Sequence, residues 1–198
     1  MEIRTLVIIM MSAALVNNYV LRQFLGVCPF LGVSKELKSS IGMGIAVMFV
    51  MVMAASVTWP IQVFLLDVSG LDFMQTVVFI LVIATLVQLV EVVLKRYVPA
   101  LFASLGVYLP LMTTNCAVLA VTISNINNGF SYIEALVSAL GAGLGFFLAM
   151  VIFTGVRVHN ESADPPDAFK GVPITFVSAA ILSMAFFGFE GVIENLFR

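Results

Sequence analysis

The sequence predicts an all-α integral membrane protein: six transmembrane spans arranged as two inverted three-helix repeats. Three observations carry this expectation. Hydrophobic residues make up 62% of the 198 residues and charged residues only 10%, against about 25% charged in a soluble domain. The apolar residues fall into six runs, each longer than the ~20 helical residues needed to cross a hydrocarbon core. One cysteine-bearing motif occurs twice, and three spans per half would send its two copies through the membrane in opposite directions.

The spans are expected at 4–34, 41–66, 73–95, 99–124, 131–156 and 172–195. Charges and turn formers collect between them, in SKELKSS, DVSGLD, KRYVP, SNINNG and RVHNESADPPDAFKG. The last is the only long polar loop, and Pro165 and Pro166 mark it as a solvated surface segment. No cleaved signal peptide is expected, because the first apolar run lacks a small-residue cleavage site and continues into Asn17 and Asn18. Loops one, three and five carry Lys35, Lys38, Lys95, Arg96, Arg157 and Lys170, whereas the other side carries only the terminal Arg4 and Arg198. Basic residues collect on the cytoplasmic side, so both termini are expected to face away from the cytoplasm. The net charge of −2 and the lack of any Lys/Arg cluster argue against nucleic acid as a partner.

The repeat is read from two alignments. From the cysteines, C-P-F-L-G-V-S (Cys28–Ser34) parallels C-A-V-L-A-V-T (Cys116–Thr122) in its small, aliphatic and hydroxyl positions. GMGIAVMFVMVMAASV (Gly42–Val57) parallels GAGLGFFLAMVIFTGV (Gly141–Val156), each opened by two glycines that would let helices approach closely. The chain is therefore expected to be one membrane domain, 1–198, with repeat one at 1–97 and repeat two at 98–198. Inverted repeats commonly place their working site near the bilayer midplane, on interrupted helices.

The two cysteine spans look interrupted. Span one holds Asn17, Asn18, Arg22, Gln23, Gly26, Pro29 and Gly32; span four holds Gly106, Pro110, Thr113, Thr114 and Asn115. Pro29 would remove a helix hydrogen bond and clash with the Leu25 carbonyl, and Pro110 would do the same at Gly106. Freed carbonyls in hydrocarbon need protein or a cavity to satisfy them. Asn17, Asn18, Thr113, Thr114 and Asn115 are expected to serve. At helical rise, Cys28 lies roughly 10 Å from the cytoplasmic face and Cys116 roughly 13 Å from the outer face. In a core about 30 Å thick, both thiols approach the middle from opposite sides.

Several chemistries fit two such thiols. A buried cysteine is commonly just a small hydrophobe. An iron–sulfur cluster usually takes four thiolates; this chain supplies two, and its single histidine, His159, is read as lying in a loop. A cluster would then need two ligands from another chain, most simply a related subunit. Structural zinc also takes four ligands, and a disulfide needs Cα atoms within about 7 Å. Glu91 and Gln88 sit near the cytoplasmic end of span three and Glu190 within span six. Ionisable residues at such depth are candidate functional groups, although Glu91 can pair with Lys95 one turn on. Arg22 is expected to pair with a carboxylate or to cap unwound carbonyls. Asn125, Asn127 and Asn128 read as a turn.

The stretches VNNYVLRQFLGVCPFLGVSKEL, FILVIATLVQLVEVVLKR and LGVYLPLMTTNCAVLAV strongly resemble the A-type membrane subunits of the Rnf family. They are similar, less closely, to the E subunit of the sodium-translocating NADH:quinone oxidoreductase. The resemblance covers essentially the whole chain. It implies a component of a bacterial or archaeal cell-membrane complex that oxidises reduced ferredoxin, reduces NAD and moves Na+ or H+ outward. It implies a homologous six-span partner of the Rnf E type, with each of the two chains giving two cysteines to one shared 2Fe-2S cluster. Carried over, the ligands here would be Cys28 and Cys116. The remaining Rnf subunits, of the B, C, D and G types, would hold the flavins and most other clusters, and ferredoxin and NAD would act there.

A reading from another class is a small inverted-repeat secondary transporter without redox chemistry, its substrate site formed by Arg22, Asn17, Asn18 and Asn115. A third is a scaffold that only anchors other chains.

Overall fold

A computed structural model describes residues 3–34, 37–66, 72–97, 114–162, 166 and 171–196. All regular structure in them is helical. Helix α1 spans Ile3–Met11 and runs into a π-helical turn, Ser12–Val16. The chain then leaves helical geometry until α2, Val27–Val33. Helix α3 spans Leu37–Ile61 and ends in a second π-helical turn, Gln62–Leu66. A 3-10 turn at Asp72–Met74 leads into α4, Gln75–Tyr97. Helix α5 spans Cys116–Asn127, α6 Tyr132–Ser162 and α7 Val172–Leu196.

Among the described residues, Leu37–Leu66, Gln75–Val93 and Tyr132–Asn160 are long and apolar enough to cross a membrane. Arg4–Val16, Cys116–Asn127 and Val172–Gly188 are shorter apolar helices. Large hydrophobic residues such as Phe49, Val77, Leu81, Ile181 and Phe187 face outward. An outward apolar surface is stable where the surroundings are hydrocarbon or another apolar chain.

The centre of the molecule is the pairing of α3 with α6, the most extensively packed pair of helices. Small residues bring them together. An ideal β-carbon on Gly44 would stand 2.6 Å from Phe147 Cδ2, and one on Gly143 would stand 2.6 Å from Met48 Cγ. In the alignment of Gly42–Val57 with Gly141–Val156, Gly44 corresponds to Gly143 and Met48 to Phe147. The two contacts therefore exchange with each other when the halves are exchanged, as contacts across a two-fold axis do. Along the same pair, the Thr154 hydroxyl donates to Ser40 Oγ at 2.8 Å, both groups being buried.

The other glycine face of α6 receives α1. A β-carbon on Gly141 would lie 2.6 Å from the Met10 carbonyl oxygen, and one on Gly145 would lie 2.5 Å from that of Ala14. Residues 141, 143 and 145 thus let one helix bury two neighbours at backbone contact. Helix α2 docks on α6 through stacked Phe30 and Phe153 rings, 4.1 Å between centroids. At the end where α5 turns into α6, Trp59 Nε1 donates to the Phe130 carbonyl at 2.9 Å and its ring meets Tyr132 edge-on. Glu134 Oε2 accepts from the Ser131 backbone N–H and hydroxyl, closing the first turn of α6.

Three expectations need correction. His159 is not in a loop: α6 runs on to Ser162 and carries His159 in its last turn. The first six residues of RVHNESADPPDAFKG are therefore helical, because Val156 and Val158 continue an unbroken helical run without a Gly or Pro stop. Pro29 does not break a helix either. Helix α2 begins at Val27, so Pro29 sits in its first turn, where a missing N–H leaves no intrahelical bond unmade. The departure from helix lies upstream, between Asn17 and Gly26. Asn125 and Asn127 belong to α5 rather than to a turn, which only Asn128 enters; Asn125 is buried, and its Nδ2 donates to the Ala135 carbonyl at 3.1 Å. The expected first part of span four, with Pro110 and Thr113, lies outside the described residues, as does most of the polar loop after Ser162.

Candidate functional site

The site is built where non-helical backbone meets a helix start. Asn18, Tyr19, Val20 and Leu21 are all buried although none of them is in a helix. Buried backbone polar groups are costly unless they are hydrogen-bonded, and the Asn18 side chain satisfies two of them. Its Oδ1 accepts from the backbone N–H groups of Val20 at 3.0 Å and Leu21 at 3.3 Å. Its Nδ2 donates to the Gly145 carbonyl at 2.8 Å, tying the segment to α6. The Ser183 hydroxyl on α7 donates to the Leu21 carbonyl. The Arg22 and Leu25 N–H groups bond back to the carbonyls of Asn18 and Tyr19, both at 2.9 Å.

Arg22 pairs with an amide. Its Nη1 donates to Asn17 Oδ1 at 2.5 Å, while Asn17 Nδ2 reaches Ser12 Oγ at 3.4 Å. Two left-handed residues, Phe24 at φ 53° and Gly26 at φ 77°, then turn the chain into α2. For Gly26 this conformation is available without steric conflict; for Phe24 it is uncommon.

Cys116 opens α5, and Asn115 is its N-cap. Asn115 is extended, at φ −72° and ψ 109°, and its Oδ1 accepts from the Ala117 N–H at 3.0 Å. The left-handed turn at Gly26 rests on this helix start. A β-carbon at Gly26 would stand 2.9 Å from Asn115 Oδ1, 3.1 Å from Ala117 Cβ and 3.2 Å from Phe146 Cε2. The residue two places before Cys28 is thus packed against both residues flanking Cys116. Both thiols are free and both are exposed. Their neighbours are not: Phe30, Asn115, Ala117 and Val118 are buried. An exposed cysteine at each tip of an otherwise buried junction is the reverse of the usual burial of free cysteine.

The far end of α2 is held by α6. Arg157 Nη1 donates to the Leu31 carbonyl at 2.7 Å and to Ser34 Oγ at 2.9 Å. A cation at a helix C-terminus satisfies its last carbonyls and suits its dipole.

Beside Asn17 lies a cavity of about 340 Å³, walled by Ser12, Asn17, Tyr19, Gln23, Ser124 and Asn128 among others. Its lining combines hydroxyls and amides with the apolar side chains of α1.

Comparison with known proteins places the chain. The family described as "Rnf-Nqr subunit, membrane protein" matches residues 6–193. The chain belongs to the Rnf-Nqr family. A relative from Acetobacterium woodii, named as the A subunit of a Na(+)-translocating ferredoxin:NAD(+) oxidoreductase complex, is 50% identical over 95% of this chain and 98% of its own length. One from Syntrophotalea carbinolica, named as the A subunit of an ion-translocating oxidoreductase complex, is 49% identical over 97% and 100%. A protein of the same name from Vibrio vulnificus is 42% identical over 95% and 98%.

In this Rnf-Nqr chain, Asn17, Asn18 and Arg22 share the non-helical segment before Cys28, and Asn115 and Ala117, which flank Cys116, meet that segment at Gly26. Glu91 stands apart from this set, half-buried on α4 one turn before Lys95. The backbone of Glu190 is on α7, and its side chain lies outside the described residues. Residue-by-residue reading of the sequence missed Gly26 as a contact, Ser183 as a hydrogen-bond donor and Arg157 as a cap. Only Gly26 carried a signal, as a glycine two residues before a cysteine in FLGVC.

Proposed function

We propose that this chain is the A-type membrane subunit of an ion-translocating ferredoxin:NAD+ oxidoreductase complex. In this reading it carries electrons across the membrane through a 2Fe-2S cluster held by Cys28 and Cys116 together with two cysteines of a homologous, E-type subunit. The observation that carries it is the junction at Gly26, where the two cysteine segments pack against one another with both thiols exposed. The near-full-length match to relatives named as the A subunits of such complexes supports the complex and the remaining Rnf subunits as partners.

The residues fit the group. Exposed thiols are available to a ligand shared with another chain. The chain has two cysteines, so in this reading it would bring two of the four thiolates that a cluster usually takes. When bound, such a cluster accepts and passes on one electron. The chain's own residues do the rest. Asn18, Gly145 and Ser183 hold the non-helical segment, Gly26 turns it into α2 while packing against the start of α5, and Asn115 fixes that start. The thiols are thereby presented from rigid supports, as a metal site requires.

The reciprocal contacts of Gly44 with Phe147 and Gly143 with Met48 support two inverted repeats, 1–97 and 98–198. We take spans one and four to be interrupted near mid-membrane, six spans in all, in the cell membrane with both termini outside. Coupling to export of Na+ or H+ belongs to the same proposal; the relatives' names, Na(+)-translocating and ion-translocating, support ion movement, and the polar cavity beside Asn17 offers it a lining.

The test is spectroscopic. In the assembled complex, Cys28→Ala and Cys116→Ala should each abolish one reduced-state cluster signal, with iron and sulfide content falling accordingly. Survival of every cluster signal in both variants rules the assignment out.

A further inference from the structure

We infer that the outward stripe of α4 around Gln88 is a docking surface for a membrane-spanning helix of another subunit, one that presents a hydrogen-bonding side chain at the depth of Gln88. The inference rests on the reading of this chain as one subunit of a complex and is independent of the cluster at Cys28 and Cys116. Of the three long spans, α4 is the least buried. Its buried residues, Phe79, Ile83 and Val87, stand one turn apart on a single face. That face packs on α3 and on α5, the helix that Cys116 opens. Val77, Leu81, Thr85, Gln88, Val92 and Lys95 are exposed along the opposite face. Their steps of four and three residues are those of a seam along which a second helix packs.

An apolar stripe alone would suit lipid, and Gln88 does not. It lies seven residues before Lys95 on an unbroken helix, roughly 10 Å inside the basic end, in a core about 30 Å thick. Hydrocarbon offers its amide neither donor nor acceptor, and an unmet amide there is costly. Thr85, on the same stripe, meets its own need by donating to the Leu81 carbonyl at 2.9 Å. Gln88 has no such bond among the described residues. Asn18, Gln62, Asn115 and Asn125 are amides buried within the protein; Gln88 faces outward from mid-span. Side chains of this kind hydrogen-bond across helices in membranes, and one polar position in an apolar seam also fixes the register of the two helices.

The experiment uses the intact complex in its native membrane. A benzophenone amino acid in place of Val92, one turn from Gln88 on the stripe, should on illumination join this chain to another membrane subunit. Peptide mapping should put the joint within an apolar spanning segment of that subunit. Adding Gln88→Leu should cut the yield several-fold, and Gln88→Asn should retain more of it than Gln88→Leu. A Gln88 that faced lipid would give the opposite, since leucine suits hydrocarbon better than glutamine. Adducts only with lipid, with a second copy of this chain or with its own residues 98–113 overturn the inference, as does a yield that Gln88→Leu leaves unchanged. If Gln88→Leu does not accumulate, the adduct formed with Gln88 in place decides alone. If no other subunit purifies with the unmodified chain, the proposed complex fails instead.

Discussion

Gly26 and Asn115 touch: a β-carbon at Gly26 would stand 2.9 Å from Asn115 Oδ1. The chain ahead of Cys28 and the helix begun by Cys116 therefore meet at a position that admits no side chain. The proposed cluster site of this Rnf-Nqr chain depends on that meeting, and it can be loosened by one atom.

Gly26→Ala should do so. The left-handed backbone at Gly26 costs a non-glycine residue roughly 1–2 kcal/mol, and the added methyl must also displace Asn115. We expect a lower unfolding temperature and reduced cluster occupancy, read by thermal melting in detergent and by iron content. Melting and iron content equal to the unmodified protein would mean the junction is not tight.

The glycine faces of α6 should rank by what they meet. Gly145→Ala drives a methyl into the Ala14 carbonyl, and Gly143→Ala drives one against Met48 Cγ, Cβ and the backbone Cα, 2.6 to 3.0 Å away. Overpacking of this kind costs about 1–3 kcal/mol in each case. Among the described residues Gly155 has nothing within 4 Å, so Gly155→Ala should be neutral or slightly stabilising, by up to ~1 kcal/mol of helix propensity. Melting of the three variants side by side tests the order.

Asn18→Ala should be more damaging than Asn17→Ala. Asn18 bonds two buried N–H groups and one buried carbonyl, and each group orphaned costs roughly 1–3 kcal/mol. Asn17 lies in a less buried place, and its amide bonds Ser12 and Arg22, side chains that can turn elsewhere. Hydrogen exchange at Val20 and Leu21 should accelerate in Asn18→Ala; unchanged protection there would show that the amide is not what holds the segment.

Arg157→Ala should release the end of α2 by leaving the Leu31 carbonyl and Ser34 without the guanidinium. Arg157→Lys should recover only part, because one ammonium lacks the planar fork of donors. The expected readout is faster proteolysis or exchange around Ser34, with α3 and α6 unaffected.

Much of this architecture is legible in the chain itself. Apolar runs mark the helices, since a helix in hydrocarbon needs little beyond length and apolar side chains. The duplicated cysteine motif and the paired glycines point to segments that the structure does bring into contact: Gly44 against Phe147 and Gly143 against Met48 at α3–α6, and the residues flanking Cys28 and Cys116. Proline misleads. Pro29 reads as a breaker, yet it occupies the one turn of α2 where its missing N–H is harmless. His159 and Arg157 read as loop residues because charge suggests water, and both are helical.

Membrane class, family, the order of the helices and the identity of the two thiols follow from the chain alone, because composition, periodicity and motif are local properties. Where the backbone unwinds, which groups satisfy it, and that Gly26 closes on Asn115 emerge only on folding. Those depend on partners far along the chain, such as Asn115 for Gly26, the Gly145 carbonyl for Asn18 and the Ser183 hydroxyl for Leu21. A donor or acceptor carries no mark in the sequence of the group it will meet.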